Sequence, residues 1–334
     1  MPEKPEVQHT ADCLKEILCG TTLSKLKFNG QSRQAKHELN NYDELCERLP
    51  LPIRKVWSKG KKIIIRLAGD VYIMSSLSME GKWLKKKGDH SHLWLQLEDG
   101  RKIYYDDSRH FGNIDIYLSR DELDTKLNKI GPDLLLDDVD IDLWLSIVRN
   151  KRLRHMKIGD FVMEQKYFSG VGNYIRAEAL YRAEVNPHGT LEAMSDDDHD
   201  RVRTAVIDVI NESYQARRCT LKTYWDLEGE DGKFKVVIYG EPRDPHGNKV
   251  KKELFKKKRM MHWVPTVQIY PPPLEPVKFS VKKLKRSTGR SGVQGEEQYS
   301  LIELRGIAHS RGLKVGGNKS VLVERILEDS LYDI

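Results

Sequence analysis

The chain opens MPEKPEV, and two of these residues can do chemistry together. Met1 precedes a small residue, a context in which the initiator is normally trimmed, which would leave the secondary amine of Pro2 beside the carboxylate of Glu3. An α-amino group titrates at about 7.7 to 8, well below a lysine at about 10.4, so part of it is unprotonated at neutral pH. Such an amine can attack an electrophilic carbon while the neighbouring acid moves protons. Alone the pair is weak, because proline after the initiator is common and an adjacent acid means little. Pro2 and Glu3 read either as chance or as a nucleophile with its acid.

The elements that would position them can be read from periodicity. From Pro5 to Cys19, the residues Val7, Ala11, Leu14, Ile17 and Leu18 recur at helical spacing, with Pro5 suited to a first turn and Gly20 as a stop. This predicts one amphipathic helix. From Lys61 to Leu118 the pattern changes to short β-rich runs, IIIRL, VYIM, HLWLQL, KIYY and IDIYL, with AGD and EDG as turn formers between several of them. An antiparallel β-sandwich with its helix is expected over residues 1–125. After Gly131-Pro132, IDLWLSIV, HMKIGDFVMEQ, NYIRAEALYRA and DDHDRVRTAVIDVINESYQA predict a separate helical domain over 132–225. In 233–270, KVVIYG and MMHWVPTVQ flank the turn-rich PRDPHGN and the basic KVKKELFKKKR, which fits a small hairpin module. Residues 271–297, proline-rich and then basic with Gly and Ser, read as a linker. Order returns in 298–334, where Ser300 and Glu303 have capping-box spacing, Leu301, Leu304 and Ile307 form one face, and VLVERIL makes a second short helix. The fold class is α+β and multidomain.

Composition narrows the partners. Among 334 residues, 57 Lys and Arg face 50 Asp and Glu, a net charge of +7, so a polyanion such as nucleic acid or an anionic membrane surface suits better than an acidic protein. The longest aliphatic run, Ile63-Ile64-Ile65, is far too short to span a bilayer, and no charged segment followed by an apolar one opens the chain. A soluble intracellular protein with no membrane partner is expected. Cys13, Cys19, Cys46 and Cys219 include no C-x-x-C pair, so neither a disulfide framework nor a four-cysteine zinc site can be built locally.

Other short stretches change the reading of Pro2 and Glu3. These are LSMEGKW around Met79, HSH from His90 to His92, DSRHFG from Asp107 to Gly112, FSGVGNYIRAEALY from Phe168 to Tyr181, and RMMHWVPTVQ from Arg259 to Gln268. In this order, over roughly the first four-fifths of the chain, they resemble the formamidopyrimidine-DNA glycosylase and endonuclease VIII family of bifunctional repair enzymes. The resemblance implies a monomeric enzyme of damaged double-stranded DNA that needs no cofactor. Pro2 would attack the sugar C1′ and Glu3 would assist ring opening at O4′, leaving an iminium that proceeds to strand cleavage by β,δ-elimination. YFSGVGNYIRAEALYRAEVNP is closer to the endonuclease VIII-like branch, which implies oxidised pyrimidines and over-oxidised guanines as substrates.

The same resemblance assigns further roles. Glu6, one helical turn beyond Glu3, would lie near the flipped base, its alternative being a solvated acid at a helix start. Lys61, in SKGKKIII, aligns with the family's phosphate-holding lysine, with Lys59 and Lys62 as neighbouring registers. Gly172 and Asn173 would contact the DNA backbone, GVG leaving bare amides at a helix N-terminus as a phosphate cradle, and His90 joins this DNA-binding set. Met79, Arg109 and Phe111 would fill the hole left by the extruded base, although Met79 at strand spacing also suits a core position. Most of the family ends in a four-cysteine zinc finger, yet here no cysteine follows Cys219. PRDPHGNKVKK stands where the first cysteine pair would be, implying a zincless finger with Arg259 as its phosphate clamp. His246 and His262 lack ligand partners at suitable spacing and read as structural, so no metal is expected. Lys249 to Arg259 would add salt-dependent backbone affinity, or be a solvated face.

The segment ELRGIAHSRGLKVGGNKSVLVERIL resembles the SAP motif, a small DNA-binding module; a helical pair of this kind can equally be a dimerisation tail. KKLKR would serve as a nuclear-import signal in a eukaryotic cell. Two rival functions stand beside the main one. The first is an 8-oxoguanine and formamidopyrimidine glycosylase of the same chemistry, whose relatives carry a longer lesion-capping segment than TLKTYWDLEGEDG. The second is a non-enzymatic binder of damaged DNA, which loss of Pro2, Glu3 or Lys61 would have favoured.

Overall fold

The computed structural model describes residues 2–29, 39–216, 234–269, 304, 313 and 319–330. Helix α1 (Lys4–Leu18) forms as its periodicity predicts and buries Val7, Ala11, Leu14 and Leu18 on one face. It packs on an eight-stranded sheet made of β1 (Thr22–Phe28), β2 (Leu51–Lys59), β3 (Lys62–Leu67), β4 (Tyr72–Ser76), β5 (Lys82–Leu84), β6 (Ser91–Leu97), β7 (Lys102–Asp106) and β8 (Asn113–Tyr117).

The strands pair antiparallel in the order β5-β7-β6-β1-β2-β3-β4-β8. Between β1 and β2 the ladder holds at two residue pairs, Thr22 with Pro52 and Leu23 with Leu51, so the sheet divides there into two four-stranded halves. Leu26, Leu95 and Tyr105 from one half and Val56, Ile65 and Ile73 from the other enter a single core with α1. This is the expected sandwich. Strands β1, β2 and β5 and the short helix α2 (Tyr42–Arg48) fall outside the apolar runs, because charged residues on their outer positions dilute the pattern. The unbroken IIIRL run has its own cause. Ile63 and Ile65 face the main core, while Ile64 packs on the other side with Tyr72, Met74 and Leu123 of α3 (Arg120–Leu127).

The helical domain contains α4 (Ile141–Val148), α5 (Ile158–Phe161), α6 (Asn173–Arg182) and α7 (Asp196–Gln215). Ser195 and Asp198 cap α7 reciprocally, at 3.1 Å from the Asp198 N–H to the Ser195 hydroxyl and 2.8 Å from the Ser195 N–H to the Asp198 carboxylate. The helix expected over HMKIGDFVMEQ shrinks to the single turn of α5. Its first amides are drawn away, Ile158 N–H donating to the Gly189 carbonyl at 2.8 Å and Gly159 N–H to that of Pro187 at 3.1 Å. Trp144 stacks on Phe168 at 4.3 Å in the core of this domain.

A hairpin follows, β9 (Lys251–Phe255) with β10 (Arg259–Trp263), and its first strand is the basic run itself. KVVIYG is not the expected strand. The amides of Val237, Ile238 and Tyr239 each donate to the buried Glu178 carboxylate at 2.9 Å, which satisfies them without a strand partner. In PRDPHGN, Asp244 gathers the N–H groups of His246 (3.0 Å) and Asn248 (2.7 Å), the Asn248 side-chain amide (2.9 Å) and the Tyr181 hydroxyl (3.1 Å).

A second compact unit spans Pro272–Ile334. In it, α8 (Lys319–Ser330) buries Leu322, Val323 and Ile326. Leu304 is helical and buried, whereas Ser300, Leu301, Glu303 and Ile307, the linker 271–297 and the TLKTYWDLEGEDG loop lie outside the described residues. Among the described residues no helix is long and apolar enough to cross a membrane.

Candidate active site

Helix α1 brings Pro2 and Glu3, both buried, to the first turn of α6. Glu3 Oε2 accepts the N–H groups of Gly172 at 2.7 Å and Ile175 at 3.2 Å, and Oε1 accepts that of Tyr174 at 3.0 Å. These are the orphan donors of a helix N-terminus, where the helix dipole also favours negative charge. Gly172 is required by proximity, since a Cβ there would lie 2.2 Å from Glu3 Cδ. Three amides expected to cradle a phosphate are therefore occupied by a carboxylate of the chain itself. Gly172→Ala should evict that carboxylate, lowering the melting temperature and abolishing any activity that depends on it; DNA-cleavage assays and thermal melts on the purified variant check this.

Burial pushes the Glu3 carboxyl above its usual range, against the pull of the Lys61 charge and the amides of Tyr174 and Ile175. Glu6 is also buried, which removes the solvated-acid alternative. Its Oε2 accepts the Glu3 N–H at 2.9 Å and its Oε1 accepts the Tyr174 hydroxyl at 3.1 Å, while Ser213 Oγ meets that hydroxyl at 3.0 Å.

Lys4 has no exposed surface. Its Nζ bonds Asp133 Oδ2 at 2.7 Å, Gln8 Oε1 at 3.0 Å and Ser58 Oγ at 2.5 Å. Asp133 Oδ2 also accepts the Gly60 N–H at 2.7 Å, so the β2–β3 turn is pinned to α1 through one buried carboxylate. Gly60 adopts φ +53°, and a Cβ there would meet that of Ser169 at 2.9 Å. The turn distributes three neighbouring lysines. Lys59 pairs with Asp137 at 3.6 Å, Lys62 lies in the field of Asp115, and half-buried Lys61 feels Glu3, Arg259 and Glu6. Burial, with repulsion from Arg259, lowers Lys61 to about 8 against the attraction of the two carboxylates.

Arg259 opens β10 after a turn in which Lys257 and Lys258 take φ +58° and +55°. The fully buried Arg176 of α6 ties down this hairpin, Nη2 donating to the Met260 carbonyl at 2.7 Å and Nη1 to that of Gly159 at 3.2 Å, with its guanidinium 5.5 Å from the Phe255 ring centre. Desolvation brings Arg176 down to about 10. Lys61, Arg176 and Arg259 line a common cavity of about 390 Å³. Asn173, the first residue of α6, has a buried Oδ1 with no hydrogen-bond partner among the described residues.

Met79, Arg109 and Phe111 form a second group on two adjoining loops. Arg109 Nε is 2.8 Å from Glu80 Oε1, and Ser108 Oγ bonds the same carboxylate. Asp107 shapes the second loop by accepting the N–H groups of Arg109 at 3.1 Å and Gly112 at 2.7 Å. Met79 is 41% and Phe111 52% exposed, so Met79 is not a core residue. His90 is exposed, and its N–H donates to Asp106 Oδ2 at 3.0 Å. His262 is buried and lowered to about 4 by desolvation, and among the described residues no three His, Cys, Asp or Glu side chains gather as metal ligands.

Lys4, Asp133, Tyr174 and Arg176 were not singled out by sequence. Lys4 carried a signal, because it shares the 4, 7, 11, 14, 18 stripe with apolar residues and so had to be buried.

Comparison with known proteins fits this geometry. A model of the formamidopyrimidine-DNA glycosylase N-terminal domain matches residues 1–114, one of the formamidopyrimidine-DNA glycosylase H2TH domain matches 130–224, and one of the SAP domain matches 297–329. The formamidopyrimidine-DNA glycosylase of Streptococcus pneumoniae serotype 4 is 26% identical over 239 residues, 70% of this chain and 84% of that protein. That of Streptococcus thermophilus is 28% identical over 256 residues, covering 73% and 90%. The MutM (Fpg) protein of Thermus thermophilus matches with a TM-score of 0.71 at 26% identity, over 80% of this chain and 98% of that one. Lactococcus lactis Fpg in complex with DNA containing an abasic site shares the fold, with a TM-score of 0.70 at 22% identity over 80% and 99%. Sheet domain, helix-two-turn-helix domain and SAP domain together define a multidomain α+β protein of a DNA-repair fold. The chain belongs to the formamidopyrimidine-DNA glycosylase and endonuclease VIII family.

Proposed function

We propose that this protein is a base-excision-repair DNA glycosylase with abasic-site lyase activity, acting on oxidised bases in duplex DNA. The observation that carries the reading is the buried Glu3 carboxylate, clamped by three amides of α6 next to Pro2 and within the field of Lys61. The relatives named as glycosylases, and the Lactococcus neighbour bound to abasic-site DNA, support the substrate class.

With Met1 removed, the Pro2 amine forms a bond to C1′ as the bond from C1′ to the base breaks. The nitrogen then loses its proton, the C1′–O4′ bond opens, and O4′ takes a proton from Glu3, leaving an iminium. A carboxyl raised by burial holds that proton closer to neutral pH than an exposed one would. Loss of a C2′ proton expels the 3′ phosphate oxygen, and a second elimination expels the 5′ one. Lys61 and Arg259 are the proposed phosphate contacts, with Asn173 and His90 completing the DNA-binding set, while the Gly172 amide serves Glu3 instead. Met79, Arg109 and Phe111 are the proposed fillers of the vacated stack, and Glu6 the residue beside the extruded base. Release of Arg109 from Glu80 would free its guanidinium for the orphaned partner base.

Lys61 makes this pH-dependent. Its ammonium is the form that attracts phosphate, so its contribution to DNA affinity is complete below about 8 and fades as pH rises through that value. Anisotropy titrations with an abasic-analogue duplex should show a break in affinity at or above that pH in wild type, since bound phosphate raises the transition, and no such break in Lys61→Arg.

We further propose that β9–β10 is a zincless finger in which Asp244 organises the turn that a metal would otherwise build. A chelator should leave melting and DNA binding unchanged, whereas Asp244→Ala should weaken both; a chelator-sensitive protein would contradict this. For the lesion itself, a panel of duplexes with thymine glycol or with 8-oxoguanine opposite cytosine tests the proposed preference for oxidised pyrimidines. Faster release of 8-oxoguanine would assign the protein to the guanine-directed reading, and tight binding with no excision of either would remove the enzymatic one.

A further inference from the structure

The cavity that Lys61 and Arg259 line has more positive charge than one strand contact uses. Seven basic and two acidic side chains line it. Both acids are already engaged, Glu164 with Lys257 Nζ at 2.7 Å and Asp160 with the Lys256 N–H at 3.1 Å. Its wall includes Arg176, 1% exposed, whose two terminal nitrogens are satisfied by carbonyls while its buried Nε has no hydrogen-bond partner among the described residues. A buried guanidinium nitrogen left unpaired is costly unless an acceptor arrives. The exposed lysines Lys129, Lys166 and Lys256 stand around the same space, and about 390 Å³ exceeds what a single phosphate group fills.

We infer that this cavity, which shares Lys61 and Arg259 with the proposed strand contacts, holds a phosphate monoester, the terminal phosphate of a cut strand, in preference to the phosphodiester of an intact one. A monoester carries close to two negative charges at neutral pH and three free oxygens, against one charge and two free oxygens for a diester. An excess of fixed cations favours the more highly charged group, and converging donors can use the third oxygen. The inference rests on the lyase reading for the origin of such ends, since each elimination that breaks a C–O bond to phosphate leaves a terminal monoester. It adds slow release of the cleaved product, retained by its own phosphate.

The test needs no turnover. Affinities of the full-length protein would be measured for one-nucleotide-gapped duplexes whose ends at the gap carry either phosphate or hydroxyl, at the 3′ side and at the 5′ side in turn. The expected result is about tenfold tighter binding of a phosphate end than of its hydroxyl counterpart on at least one side. In Lys129→Ser/Lys166→Ser/Lys256→Ser that ratio should fall to near one. A control with three exposed lysines that do not line the cavity, Lys86→Ser/Lys87→Ser/Lys102→Ser, should bind every duplex more weakly and keep the ratio. Inorganic phosphate, balanced with chloride at constant ionic strength, identifies the source: erasing the preference would show that the free anion also occupies the site, and leaving it intact would restrict the site to strand ends. Equal affinity for phosphate and hydroxyl ends in wild type, or a ratio that survives loss of the three cavity lysines, would overturn the inference. Because binding is read without catalysis, a phosphate-end preference in a protein that forms no covalent adduct would leave the site standing and remove the lyase reading.

Discussion

Glu3→Gln is expected to lower single-turnover base excision by about 10³-fold or more while duplex affinity changes far less, general acid–base catalysis and charge stabilisation together accounting for that size. The substitution preserves volume but not chemistry. Both carboxylate oxygens accept backbone N–H groups, so a glutamine must turn its NH₂ toward at least one donor of the α6 turn. It also removes the titratable proton that the proposed ring opening requires and the charge that attracts Lys61. Rapid-quench assays on a lesion duplex, beside anisotropy on the same duplex, separate these effects. Excision within tenfold of wild type would reduce Glu3 to a helix cap and remove the acid from the mechanism.

Lys4→Met should destabilise the protein by about 3 to 5 kcal/mol, the usual consequence of leaving one partner of a buried ion pair alone. Lys4 is fully enclosed, and Asp133 would retain only the Gly60 and Leu135 amides among its described donors. The expected fall in melting temperature is on the order of 10 °C for a domain assembly of this size. Asp133→Asn in the same chain should recover part of the loss, because a neutral amide still accepts the Gly60 N–H without an unpaired charge. The consequence reaches the site, since the pair holds the β2–β3 turn that carries Lys61. Calorimetry of the single and double variants measures the coupling; additive losses would show that Lys4 and Asp133 do not act as a pair.

Elements with local signals were legible in the sequence. Helices α1, α4, α6 and α7 begin and end within a residue or two of their expected bounds, α1 because Pro5 and Gly20 mark its ends, and α4 and α7 because their first turns are capped locally by Asp140 and Ser195. The five β-rich runs between Ile63 and Leu118 all became strands. What failed depended on partners distant in sequence. KVVIYG reads as a strand by composition, yet its amides are claimed by Glu178, 59 to 61 residues earlier. The three lysines of SKGKK could not be told apart locally, since their separation is set by the contact of Gly60 with Asp133, 73 residues away. GVGN announced a helix N-terminus but not its occupant, which comes from the other end of the sandwich and helical domains, 169 residues before it.

Borohydride trapping on a duplex with an abasic site decides whether the amino terminus is the nucleophile. Wild type should form a covalent protein–DNA adduct that peptide mapping places on Pro2, and a variant extended at its amino terminus by a short tag should form none while still binding the duplex. An adduct mapped to Lys61 or another lysine, or tight binding with no adduct, would remove Pro2 from the chemistry.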